Sequence, residues 1–228
     1  MAETRARQLY GGSDITQTHV LCPALCDVAE KVRPDNVMDF GCGVGYLTGL
    51  LAQISPRVKG VDKSATSIHL ARNLNTNIEF SIGDFEDISH LQEQFELVTC
   101  NLVLNNVINL HRAVSAMHAI LRSRGRFLFS IPHPSGWPRV CGYEDAAWFD
   151  WSKETFVTGP FKIASEPTIT FEGWHAHRPL NMYIESVVKS GFLVEDVFEP
   201  MPTSAIAELF SYRWSFPRYI IVQCRKLT

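Results

Sequence analysis

One stretch constrains this chain more than any other: Val37-Met38-Asp39-Phe40-Gly41-Cys42-Gly43-Val44-Gly45-Tyr46-Leu47. Val37 to Phe40 is short and mostly apolar, which suits a strand buried in the middle of a parallel sheet. Gly41, Gly43 and Gly45 then leave no Cβ in the way of a close ligand. From Tyr46 the residues Leu47, Leu50, Leu51 and Ile54 recur at helical spacing. A helix that opens at such a turn directs unpaired N–H groups at whatever lies above the sheet. A sharp strand-to-helix turn with no ligand uses the same glycines, so the residues downstream must decide.

The spacing is G-x-G-x-G. A dinucleotide fingerprint G-x-G-x-x-G requires glycine at position 46, where Tyr46 stands. The string D-F-G-C-G-V-G instead resembles the first motif of class I S-adenosylmethionine-dependent methyltransferases, of the bacterial small-molecule type. That resemblance implies S-adenosylmethionine as cofactor, with Asp39, Gly41 and Gly43 beneath its amino-acid end. Asp62 ends the strand Val58 to Asp62, 21 residues after Gly41. An acid about 20 residues on accepts from both hydroxyls of a ribose; its alternative role is a helix N-cap, since 64–74 reads as helix. Lys63 beside it is counted with the cofactor contacts. After a third strand, Ile78 to Ile82, come Gly83, Asp84 and Phe85. The resemblance implies that Asp84 accepts from the adenine amino group and that Phe85 covers the ring, although Gly-Asp is also a common turn.

The fourth strand, Phe95 to Cys100, opens onto Asn101-Leu102-Val103-Leu104-Asn105-Asn106. Magnesium-dependent catechol methyltransferases need an acid here; Asn101 is neutral. Amino-methylating DNA enzymes carry Pro-Pro-aromatic after Asn or Asp, and protein arginine methyltransferases carry two glutamates; neither pattern is present. What remains resembles the group acting on small molecules, with Asn101 and Leu102 lining the cofactor's methionine portion. The implied fold is α/β, a Rossmann-like seven-stranded, mostly parallel sheet of order 3-2-1-4-5-7-6. Its last strand runs antiparallel between the fifth and sixth, and helices cover both faces. The resemblance runs through 37–131 and 177–198 and is absent between.

At 228 residues, with 46% hydrophobic and 20% charged residues, one domain over 1–228 is expected. A net charge of −3 gives no field for holding nucleic acid. No apolar run approaches about 18 residues, so no membrane span is expected. The polar segment Met1 to Gln8 lacks the apolar centre of a secretory signal. The six cysteines lack the paired spacing of a zinc site. Reduced thiols in a cytoplasmic enzyme fit best. Residues 1–12 read as a mobile arm or a flap over the cofactor with Tyr10 and His19 turned inward. Together with a helix capped by Ser13 or Asp14 and ending near Val32, they form the N-terminal arm and helix, 1–33.

Residues 133–178 are too long for an ordinary connection. They hold Trp137, Tyr143, Trp148, Phe149, Trp151, Phe156, Phe161, Phe171 and Trp174. Disordered segments are poor in aromatics, so a hairpin lid over an aromatic substrate pocket is expected; an arm that packs on the core or makes a dimer is the alternative. The expected reaction is metal-independent methyl transfer to a small aromatic or heterocyclic metabolite by a monomer or homodimer. Positioning can supply much of such catalysis. His133, after the fifth strand, and His111 are the candidate bases, with His175 and His177 behind them. Tyr10, Asn105, Trp137, His175 and Tyr183 are placed on the substrate side, Tyr183 also fitting a core position. Two alternatives remain open: an S-adenosylmethionine-binding enzyme running a non-methyl reaction, and a non-catalytic partner subunit of the same fold.

Overall fold

The computed structural model describes residues 1–84, 93–163 and 166–228. Helix α1 (Ala2–Tyr10) leads, through a turn at Gly11 and Gly12, into a helical run whose first part is a π-turn, Gln17–Leu21, and whose remainder is α2 (Cys22–Val32). Asp14 caps that run, its Oδ1 accepting from the Gln17 N–H at 3.1 Å. The expected mobile arm is therefore a helix. It carries little apolar surface, and polar contacts to distant residues, described below, hold it.

Strands and helices then alternate: β1 (Asn36–Phe40), α3 (Tyr46–Leu51), β2 (Arg57–Asp62), α4 (Ala65–Leu74), β3 (Glu79–Ile82), β4 (Phe95–Asn101), α5 (Leu110–Ile120) and β5 (Leu121–Pro132). After α6 (Trp137–Cys141) comes a separate hairpin of β6 (Thr155–Ile163) and β7 (Glu166–His177). Helix α7 (Leu180–Lys189), β8 (Phe192–Phe198), α8 (Ser204–Ala207) and β9 (Tyr219–Lys226) complete the chain. The sheet order is β3-β2-β1-β4-β5-β9-β8. With the hairpin left aside, this is the expected order 3-2-1-4-5-7-6. β9 is antiparallel to both β5 and β8, and the other pairs are parallel.

β1 is buried along its whole length, as its apolar run requires. One core packs α5 and α7 on the sheet through Val114, Met117, Tyr183 and Val187 against Phe127 and Phe129. The opposite face carries α2 and α3 through Leu21, Leu25, Val28, Leu47 and Leu51. The start of one helix is set from a distance. Helix α5 begins at Leu110, with Asn109 Oδ1 accepting from Arg112 N–H at 2.9 Å. The cause is distant: fully buried Arg178 donates to the carbonyls of Leu104, Val107 and Ile108, holding that backbone out of the helix.

Candidate active site

The site is built first by the turn after β1. Gly41 and Gly43 have φ of +72° and +55°, which side chains rarely adopt. A Cβ on Gly41 would lie 2.3 Å from the Val103 side chain, whereas one on Gly43 would meet nothing within 4 Å. The first glycine is thus demanded by packing, and the second faces open space. Asp62, at the end of β2, accepts from Gly43 N–H at 2.9 Å with one oxygen and from Ser64 N–H at 2.8 Å with the other. It ties the glycine turn to the start of α4. The N-cap of that helix is Ser64, whose hydroxyl accepts from Ser67 N–H.

Asp39 sits beneath the turn, 1% exposed. Sheet register sets Thr99 beside it, and the hydroxyls of Thr99 and Thr48 donate to its two oxygens at 2.8 and 2.7 Å. Burial nevertheless dominates and pushes the carboxyl up to about 6. At the end of β4, Asn101 is paired in register with Ser130, whose hydroxyl donates to Asn101 Oδ1 at 2.6 Å. The Asn101 amide donates to Gln17 Oε1 at 2.8 Å. Leu102 holds φ +55°, its N–H donating to Ser130 Oγ at 3.0 Å. A left-handed leucine is strained, and such strain concentrates at functional positions. Asp39, Gly41, Gly43, Asn101, Leu102 and Gln17 all border one cleft of about 380 Å³, inside the usual size of small-ligand sites.

Two elements roof this cleft. Arg5 and Leu9 of α1 line it, as does Phe161 of β6, and the Arg5 guanidinium stands 5.2 Å above the Phe161 ring. Glu166, at the tip of the hairpin, accepts from Arg7 at 2.8 Å, Ser13 at 2.6 Å and Gln8 at 3.3 Å. Those donors, Arg7 foremost, pull its carboxyl down to about 2. Tyr10 stands at the rim: its hydroxyl accepts from Asn75 at 2.8 Å and donates to the Val44 carbonyl at 3.4 Å, and its ring meets Tyr46 edge-on at 5.3 Å. His19, placed inward by the flap reading, is exposed and bonds its neighbour Thr18.

Toward the base of the hairpin, Trp137 and Tyr143 gather around His175. The Tyr143 hydroxyl is 3.0 Å from His175 Nε2, and the Trp137 ring is 6.5 Å from the imidazole. Burial, helped by His177, pushes the His175 pKa down to about 4. Asn105 is buried beside this region; its amide donates to Asn106 Oδ1, while its own Oδ1 has no partner among the described residues.

Other sequence candidates lie elsewhere. His133 does not line the cleft: its Nε2 is 2.9 Å from Glu199, and its Nδ1 accepts from Ser135 N–H. His111 is exposed on α5, 3.4 Å from Ser190 Oγ. Tyr183, 3% exposed, belongs to the core beneath α7, and burial pushes its phenol up to about 12. Its place on a helix of strong apolar periodicity explains this. Lys63 and Asp84 are exposed at the ends of β2 and β3. Phe85 lies outside the described residues. Sequence reasoning missed Gln17, Arg5 and the Thr48–Thr99 pair. A π-turn re-aims Gln17, and no local pattern announces it.

A glycine turn, an acid at the end of β2 and an amide at the end of β4, gathered at the carboxyl ends of a doubly wound sheet, define a class I methyltransferase fold. The chain matches the family described as "Methyltransferase domain" over residues 15–176 and belongs to it. The ubiquinone biosynthesis O-methyltransferase of Coxiella burnetii is 29% identical over 119 residues, covering 49% of this chain and 51% of that protein. A malonyl-[acyl-carrier protein] O-methyltransferase of Priestia megaterium is 33% identical over 98 residues, covering 41% and 35%. The chain therefore spans at most about half the length of these curated relatives. Among solved structures, a candidate S-adenosylmethionine-dependent methyltransferase from Listeria monocytogenes superposes with a TM-score of 0.71 at 22% identity, covering 90% of this chain and 97% of its own. CalS10, an amino pentose methyltransferase from Micromonospora echinaspora with S-adenosylmethionine bound, gives 0.66 at 16%, covering 99% and 97%.

Proposed function

We propose that this chain binds S-adenosylmethionine in the roofed cleft and transfers a methyl group to a small aromatic or heterocyclic metabolite without a metal ion. The carrying observation is that the Gly43 turn and Asn101 border one cleft, and that the Asp62 carboxylate is bonded to the Gly43 N–H of that turn. The fit to the cofactor rests on the open space at Gly43, where a side chain would fill the cradle, and on an acid placed for ribose hydroxyls. Asp62 and Lys63 serve the ribose, Asp84 and Phe85 the adenine, and Asn101 and Leu102 the methionine portion. Asp39 acts through Thr48 and Thr99, holding β1, α3 and β4 in place beneath the turn.

When bound, the cofactor supplies a methyl group on a positive sulfur, already activated toward a nucleophile. The chain must hold the acceptor in line and exclude water. Helix α1 and the hairpin, latched through Glu166, perform the exclusion. Of the candidate histidines, His175 and His177 both lie on the hairpin among aromatic residues, His177 4.7 Å from the Phe149 ring and bonded to the Trp151 carbonyl, and His175 is the one that meets Trp137 and Tyr143. With its pKa near 4, His175 is a poor base but a good neutral hydrogen-bond partner for an acceptor. Positioning thus carries most of the catalysis, and His133, bonded to Glu199, plays no part in it. Among the described residues no helix is long and apolar enough to cross a membrane. The acceptor is met by a monomer or homodimer.

The test uses S-adenosylmethionine labelled in its methyl group and a panel of phenols and heteroaromatics. Labelled product should form together with S-adenosylhomocysteine, at a rate unchanged by dialysis against EDTA. Product without label would instead support a non-methyl reaction. Calorimetry should give S-adenosylhomocysteine binding that Asp62→Ala weakens about tenfold or more, as for loss of a hydrogen-bonded charge. Equal affinity in the variant would remove the ribose assignment.

A further inference from the structure

The hairpin has a distinct inner face. Around the middle of β6 and β7 half-buried and exposed residues alternate: Val157, Gly159, Phe171, Gly173 and His175 are half-buried, and Thr158, Pro160 and Glu172 are exposed; Phe161 is exposed although it lines the cleft, and on the other face Trp174 and Ala176 at the base are covered. Directly opposed strand residues share a face. The register pairs Val157 with His175, Gly159 with Gly173 and Phe161 with Phe171, so all six stand on the inner side. Phe161 reaches the cofactor cleft, and His175 meets Trp137 and Tyr143 at the other end.

Two glycines therefore face each other in the middle of the lid's inner surface. Their backbone does not ask for glycine, since neither has a positive φ. Packing does not ask for it either. A Cβ on Gly159 would meet nothing within 4 Å, and one on Gly173 would meet only Phe161 Cβ, at an ordinary 3.8 Å. The one register irregularity of the hairpin lies elsewhere, between Phe161 and Ile163. Glycine inside a strand costs stability and lacks a side chain to pack. Where no bulge or bend accounts for it, it marks a place where something approaches the backbone closely.

We infer that the Gly159–Gly173 pair is the ceiling of the acceptor subsite, a flat slot that admits a planar ring bearing a hydroxyl or ring nitrogen and turns away globular molecules. Phe161 and Phe171 flank the ring on the cofactor side. At the far end the Tyr143–His175 pair receives its polar group. The slot names the acceptor's shape, and it rests on the methyl-transfer reading above.

The test uses the full chain saturated with S-adenosylhomocysteine and two probes with one hydroxyl each, flat 2-naphthol and globular 1-adamantanol, followed by calorimetry. Wild type should bind 2-naphthol at least about tenfold more tightly than 1-adamantanol. Gly159→Val and Gly173→Val should each weaken 2-naphthol about tenfold or more while the S-adenosylhomocysteine affinity stays within about twofold. Thr158→Val, on the outer face, should change neither. Equal affinity of wild type for the two probes, or undiminished 2-naphthol binding in valine variants that still hold S-adenosylhomocysteine, would overturn the slot. If both valine variants lose S-adenosylhomocysteine, Gly159→Ala decides: unchanged 2-naphthol affinity overturns the slot and a weakened one supports it. Absence of S-adenosylhomocysteine binding in wild type would overturn the cofactor reading instead.

Discussion

Burial raises the Asp39 carboxyl and lowers the His175 imidazole, and their effects on stability oppose each other. Asp39 has its carboxyl raised from 3.8 to about 6. Between those values the folded chain holds a proton that the unfolded chain has lost, so this group makes stability fall as pH rises, by about 3 kcal/mol in all. His175 is lowered from 6.5 to about 4. In that window the unfolded chain holds the extra proton, so this group makes stability rise with pH. The two slopes offset each other between about pH 4 and 6. Asp39→Asn should unmask the histidine and leave stability climbing with pH, and His175→Gln should leave it falling. Urea unfolding at half-unit steps of pH reads both; slopes that match wild type in either variant would show that the group titrates normally.

At the scale of elements, the hairpin is fastened at both ends. Its tip is held by Glu166, which joins Arg7, Gln8 and Ser13. Surface ion pairs are worth up to about 1 kcal/mol each, so Glu166→Ala should change global stability little. It should speed S-adenosylhomocysteine release about five- to tenfold, since it frees the roof rather than the cleft. Stopped-flow displacement checks this, and an unchanged release rate would mean the latch does not govern exit. The base of the hairpin is held by Arg178, which bonds Glu154 and three backbone carbonyls from a fully buried position. Arg178→Ala leaves those acceptors without a donor and should destabilise the fold by about 3–5 kcal/mol in urea. Lysine should restore little of this, because one ammonium does not reproduce the planar fork.

Across the whole molecule, stability is unevenly spread. The sheet lies between two apolar layers, and Phe127, Phe129, Leu97 and Val98 within it are at most 1% exposed. The hairpin is a separate two-stranded sheet with glycines on its inner face, and such ribbons are marginal alone. Native-state hydrogen exchange should therefore find 155–177 opening at a lower free energy than β1, β4 and β5. Adding S-adenosylhomocysteine should raise protection in the hairpin more than in the sheet. Phe127→Ala should lower global stability by about 3–5 kcal/mol, with the free energy of hairpin opening unchanged. Uniform loss of protection in that variant would argue that lid and sheet open together.

Much of this was legible in the residues because its physics is local. An apolar run, three glycines and a helical apolar stripe fold the same way wherever they stand. That is why the β1 turn, the strand order and the position of Asp62 could be read without coordinates. A long aromatic insertion likewise announced an ordered hairpin. The rest depended on partners far along the chain. Helix α1 is too polar to be recognised by periodicity, and it is held by Glu166, up to 159 residues away. The start of α5 is set by Arg178, 70 residues on. His133 follows the fifth strand as expected, yet its ring is bonded to Glu199 and does not line the cleft. The sequence by itself determined the strands of the main sheet, the helices that pack on it and where the glycine turn lies. Only the tertiary structure decided which polar groups find each other, because hydrogen bonds and charges are satisfied by proximity in space, and sequence spacing does not encode it.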